Sequence, residues 1–197
     1  MKIHIPKRIN RIILILIVSD VLIISAWGLI SPFLTIFMTE QISDGTIQAA
    51  GFATTIFLIV SGILQIPISI HLDKKEGYMD EYFFIVAGSL LSAISCLLFI
   101  LSTQMIHIYL IQIIYALGCS FAYPSWYSLF SRNVDEENTA FEWTIYNTAI
   151  ALGTAVSASI GGLMISGLGY QTTFTCVAAV SVIGSILLMS LKKYLKD

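Results

Sequence analysis

The chain has 197 residues, with ten Lys and Arg against twelve Asp and Glu, and is 57% hydrophobic but only 11% charged. Ordinary globular domains carry roughly 25% charged residues, so a soluble fold of this length could not hide so much apolar surface. The basic residues are also too sparse and scattered to form a nucleic-acid footprint.

Six apolar segments follow one another, at 12–38, 47–72, 82–101, 106–130, 141–165 and 172–191. A helix needs about 20 residues to cross the hydrocarbon core. The expected fold is therefore all-α, a single domain over 1–197 built as a bundle of six transmembrane helices. The first run lies behind basic residues, as a signal peptide does, but a signal's apolar region is only about 7–15 residues long. The run is read as a retained first helix that carries Ser19, Asp20, Ser25, Trp27 and Ser31. Asp20, Trp27 and Ser31 are spaced by seven and four residues, which predicts one shared face.

Spans one, two, four and five exceed the minimum length, so tilt or kinks are expected. Pro32, Pro67 and Pro124 each remove a backbone donor there. Spans three and six are nearly pure Leu, Ile, Val, Ala and Phe and read as lipid-facing. Span four carries Gln112, Tyr115, Ser120, Tyr123, Trp126 and Tyr127, and its polar face is expected to look into a cavity. Span five has a small-residue stripe, Ala149, Gly153, Ser157 and Gly161, with Gly162 beside it. Such a stripe lets another helix approach closely. Cys96, Cys119 and Cys176 fall in separate spans and read as small apolar packing residues.

All ten positive charges fall before span one or in alternate loops. Lys2, Lys7, Arg8 and Arg11 come first, then Lys74 and Lys75, Arg132, and finally Lys192, Lys193 and Lys196. Positive loops stay in the cytoplasm. The expectation is a multi-pass cell-membrane protein with both ends cytoplasmic. The connections are too short for an extramembrane domain. No phosphate loop, HExxH or catalytic set is present, so neither enzyme activity, nor a cofactor, nor a metal is expected.

Asp20 is the only acid deep in a span. An ionised carboxylate there costs roughly 2.5–3.5 kcal/mol, and such an acid is a functional-site candidate by default, for proton or cation coupling. Trp27, Ser31, Tyr115, Tyr123, Tyr146 and Asn147 are candidates to line a substrate cavity, the aromatic rings suiting a cationic or amphipathic solute. Trp126 and Tyr127 read as interfacial anchors. Asp73, Lys74, Arg132 and Glu142 sit near the inner helix ends, where Asp73 is placed to pair with Arg132 or to cap a partner helix.

Three stretches carry a resemblance to one half of a major facilitator superfamily transporter. Residues 25–34 read Ser-Ala-Trp-Gly-Leu-Ile-Ser-Pro-Phe-Leu, similar to the family's first helix. Residues 71–77 read His-Leu-Asp-Lys-Lys-Glu-Gly and resemble its cytoplasmic gate loop, with Asp73 and Lys74 matching and Gly77 one place late. Residues 157–162 read Ser-Ala-Ser-Ile-Gly-Gly, similar to the antiporter signature of helix five without its proline. The position of a coupling Arg in helix four is Ile114 here, so coupling through that Arg is not available.

The family resemblance implies a secondary transporter of a small solute, with a gate at Asp73, Lys74, Gly77, Arg132 and Glu142. Family members have two six-helix halves, so a second body is required. The one-sided charge implies a parallel homodimer; the resemblance implies that helices two and five of each copy meet five and two of the other, a contact that the span-five stripe fits. Proton-coupled efflux through Asp20 is the specific expectation. The alternatives are a non-transporting subunit or scaffold paired with another half-transporter, and a truncated, inactive transporter.

Overall fold

The structure, a computed structural model, describes residues 10–74 and 77–195. The expectations placed on Lys2, Lys7, Arg8, Lys75 and Lys196 lie outside those residues. The elements in chain order are α1 (Arg11–Gly28), a 3-10 turn (Ser31–Phe33), α2 (Leu34–Glu40), α3 (Ile47–Asp73), α4 (Met79–Ile100), α5 (Met105–Asn133) and α6 (Thr139–Met189), closed by a 3-10 turn (Ser190–Lys193). No β-strand is formed among the described residues.

Among the described residues, five helices are long and apolar enough to cross a membrane, counting α1 and α2 as one run, Arg11–Glu40. The first expected span is not continuous. Pro32 enters the first turn of the 3-10 segment, where a missing N–H costs nothing, and α2 then restarts the helix. Pro67 and Pro124, by contrast, stay inside α3 and α5.

The fifth and sixth expected spans, with a loop at 166–171, are instead two helices that meet without a loop within the 51 residues of α6. A single residue breaks it: Gly169, at φ 79° and ψ 171°. Straight, 51 residues would reach roughly 76 Å at 1.5 Å each, over twice the hydrocarbon thickness. The break separates an arm at 139–168 from an arm at 170–189. Only glycine adopts that backbone region without strain.

α1 packs along α6, and α4 packs against both α5 and α6. α3 packs mainly on α5. The α4–α5 crossing is close at two glycines: a Cβ at Gly88 would stand 2.5 Å from the Gly118 carbonyl oxygen. Spans three and six are not simply lipid-facing. Ile85, Ser89, Cys96 and Phe99 of α4 and Phe174, Val177 and Ser181 of the second α6 arm are buried. The least covered helix is α3, whose most apolar stretch is 11% buried against 44% in each of the others.

Side-chain contacts bring the start of α1, the α3–α4 connection, the end of α5 and the end of α6 to one end of the bundle. The Asn10 side-chain amide donates to the Asn133 carbonyl (3.5 Å). Arg11 lies over the Tyr194 ring, 5.9 Å from its centre. Arg132 reaches the Gly77 carbonyl (2.7 Å), and the Tyr82 hydroxyl donates to the Met189 carbonyl (3.4 Å). The basic residues Arg11, Lys74, Arg132, Lys192 and Lys193 therefore share that end. The opposite end is tied by the Ser43 N–H, which donates to the Thr103 carbonyl (3.0 Å).

Candidate functional site

Asp20 lies just past the middle of α1 and is partly buried. Its Oδ2 accepts a hydrogen bond from the Tyr146 hydroxyl on α6 (2.7 Å). A charged acceptor makes this a strong bond. The carboxylate opens on a cavity of about 110 Å³ enclosed by α1, α4, α5 and the end of α6. Trp27 and Ile23 come from α1, Ser89 and Ser92 from α4, Tyr115, Cys119 and Tyr123 from α5, and Leu188 from α6. Among the described residues lining it, none is basic. The space suits a few waters or a small cation, given about 30 Å³ of liquid volume per water.

Part of its wall is aromatic. Trp27 and Tyr115 stack with centres 4.1 Å apart, and Phe57 stacks on the other side of Tyr115 at 4.9 Å. Trp126 contacts Tyr146 at 4.4 Å and Phe130 at 4.7 Å. Its indole N–H donates to the Leu16 carbonyl (3.3 Å), one turn before Asp20. A carboxylate at a cavity with no basic side chain among the described lining residues favours a positive guest.

Of the six residues expected to line a cavity, Trp27, Tyr115 and Tyr123 border this one and Tyr146 holds its acid. Ser31 and Asn147 are exposed and lie outside it. The predicted face through Asp20, Trp27 and Ser31 does not extend to Ser31, because α1 ends at Gly28 and the 3-10 turn resets the register. Asn147 follows Tyr146 by about 100° around the helix, so the one points in and the other out. Trp126 is not an interfacial anchor: it is 4% exposed. Tyr127, its neighbour, is 53% exposed. Trp126, Cys119, Ser89 and Ser92 were missed by sequence reasoning, since no spacing rule fixes how a nearly all-apolar helix is rotated.

At the basic end of the bundle, Arg132 makes its ion pair with Glu81 rather than Asp73. The Nη1–Oε1 distance is 2.8 Å, and Glu81 is 1% exposed. Ser128 donates to the same carboxylate oxygen (3.0 Å), and the Arg132 guanidinium lies over the Tyr78 ring at 4.1 Å. Glu81 occupies the first turn of α4 and faces α5, whereas Asp73 ends α3. Asp73 and Arg132 still border one cleft between α3 and α5. Gly77, at φ 94°, sets the tight connection whose carbonyl Arg132 grips. Lys74 terminates α3 at its C-cap. Glu142 is buried and accepts from the Asp135 backbone N–H (3.2 Å), which fastens the α5–α6 turn. Glu81 was missed because it sits one residue before the expected third span.

The small stripe of span five is used within the chain. A Cβ at Gly161 would collide with the Leu29 carbonyl oxygen, and one at Gly153 with Ser25 Oγ. One at Gly28 would stand 3.2 Å from Ser157 Cβ, and one at Gly162 would stand 3.2 Å from the Phe33 ring. The stripe from Ala149 to Gly162 thus seats α1 and the turn after it, and is not open to a second copy.

A family model described as Major Facilitator Superfamily matches residues 16–195. Among solved structures, the chain is similar to the in meso crystal structure of the POT family transporter PepTSo, with a TM-score of 0.74 at 15% sequence identity. That match covers 96% of this chain and 39% of PepTSo, so the chain spans about two fifths of that transporter. No curated protein matches the sequence significantly.

Proposed function

The chain belongs to the major facilitator superfamily, and we propose that it works as a secondary transporter of a small cationic solute, with Asp20 as the proton and cation acceptor. One observation carries this reading: a carboxylate inside the bundle faces an aromatic cavity with no basic side chain among the described residues lining it. A carboxylate so placed is expensive to keep charged in a membrane, so a proton or a cationic guest can occupy it in turn. Exchange of the two on one acid is the minimal device for proton-coupled efflux.

The long helix α6 is read as two crossings that meet at Gly169, which makes six spans. The basic end of the bundle is read as cytoplasmic by its charge. In this reading the Asp73, Lys74, Gly77, Arg132 and Glu142 region is the inner gate, with Arg132–Glu81 as its ion pair.

The second body is read as another copy in parallel orientation. Support comes from faces left open in one chain. On α3, Gly51 and Gly62 meet open space, and Leu58, Ile59, Ile63 and Ile66 are more than half exposed. On the first arm of α6, Ala151, Leu152, Ala155, Val156 and Ser159 form an exposed face opposite the one that holds α1. Small and apolar residues on both faces suit close helix contact. Purified protein in proteoliposomes with a trapped pH dye tests the transport reading. A cation gradient should drive proton movement in the wild type and none in Asp20→Asn. Equal movement in both would remove Asp20 from the mechanism.

A further inference from the structure

A groove of about 730 Å³ opens at the basic end of the bundle, between the first turns of α1 and the end of α6. Ile15, Leu187, Met189 and Tyr194 form its walls, and Lys192 and Lys193 stand at it. Both lysines are exposed. Arg11, also exposed, lies 5.9 Å from the centre of the Tyr194 ring, so a third cation stands near the same groove. Among the described residues lining it, none is acidic. The neighbouring surface toward the bilayer is apolar: Leu14, Val18, Ile183 and Ile186 are each 41–58% exposed.

We infer that this groove binds an anionic phospholipid of the leaflet that contacts this end of the bundle. The phosphate would lie between Lys192, Lys193 and Arg11, and an acyl chain along Ile15, Leu187 and the apolar surface beyond. Charge complementarity selects this occupant. Unlike the Arg132 cluster, where Glu81 already neutralises the guanidinium, this groove has no internal counter-ion among the described residues lining it. Its apolar floor continues onto the bilayer-facing surface, which a free anion would not use. Basic pockets beside spanning helices recognise such headgroups on general electrostatic grounds. The binding would also fasten both chain ends to each other through Arg11, Tyr194 and the two lysines. Assignment of the lipid to the cytoplasmic leaflet rests on the topology read above, whereas lipid binding itself does not.

Native mass spectrometry of the full chain, titrated with phosphatidylglycerol or phosphatidylcholine of matched acyl chains, tests the inference. The wild type should retain phosphatidylglycerol preferentially. Lys192→Gln/Lys193→Gln should reduce that preference by about tenfold or more, since each basic side chain near an anionic headgroup contributes roughly fivefold. Lys192→Arg/Lys193→Arg and Lys74→Gln should keep it. Equal retention of the two lipids by the wild type would overturn the inference whether or not any variant folds. So would a preference that Lys192→Gln/Lys193→Gln leaves intact, or one that inorganic phosphate removes completely at millimolar concentration. Impermeant labelling of Asp197→Cys in sealed vesicles reports the leaflet separately, so a wrong topology and an empty groove give different results.

Discussion

Tyr146 reaches Asp20 from a different helix, and the 2.7 Å bond between them fixes where the carboxylate points. Hydrogen bonds to charged groups contribute about 1.5–3 kcal/mol. Tyr146→Phe should therefore weaken cation binding by roughly tenfold or more while leaving the fold intact, as read by isothermal titration in detergent. Asp20 and its aromatic surroundings were visible in the sequence because an acid inside an apolar run has few harmless explanations. Trp126 was not. Trp126 and Tyr127 are adjacent, about 100° apart around the helix, so one can face in while the other faces out, and composition alone does not say which. The Trp126 indole bond to the Leu16 carbonyl decides it.

Helix contacts depend on a few positions where no side chain fits. Gly161→Ala would push a methyl group into the Leu29 backbone, which cannot rotate away, whereas at Gly153 the obstacle is the Ser25 hydroxyl, which can. Gly161→Ala should cost roughly 1–3 kcal/mol of stability and Gly153→Ala clearly less, measured by thermal unfolding in detergent. Arg132→Ala would strand the Glu81 carboxylate. Loss of a fully buried partner costs about 3–5 kcal/mol, but the Arg132 side chain is 37% exposed, so water screening lowers the expectation to roughly 1–2 kcal/mol. A double-mutant cycle with Glu81→Gln should return a coupling energy, and strict additivity would show that the pair is unimportant. The four-residue stripe of span five was legible as a packing surface. Its partner was not, because spacing reports that a helix comes close and not which one. Likewise the glycine-rich 166–171 segment read as a loop, but only Gly169 leaves the helical region.

Across the whole molecule, the described basic residues gather at one end, and the outer faces of α3 and of the first arm of α6 are among those left uncovered. If the second body is a parallel copy, residues at equal depth on those faces must meet. Ile66 and Thr148 both lie nearer the basic end, and both are exposed. In a background with Cys96, Cys119 and Cys176 replaced by Ala, Ile66→Cys/Thr148→Cys should form a disulfide-linked dimer. Ile66→Cys/Leu163→Cys pairs positions at opposite depths and should not. The reverse pattern would indicate an antiparallel dimer. The family was legible from the succession of apolar spans and the 71–77 motif, since hydropathy marks the segments long enough to cross a membrane. The cavity lay beyond reach because it depends on the rotation of four helices at once.

The central claim is that Asp20 exchanges a proton for a cationic solute. The most direct measurement is proton release on addition of a quaternary-ammonium panel to detergent-solubilised protein, followed with a pH indicator in unbuffered solution. From a starting pH at which Asp20 of the free protein is protonated, the account predicts release approaching one proton per chain in the wild type and none in Asp20→Asn. Cation binding by the wild type without proton release, or the same release from Asp20→Asn, would contradict it.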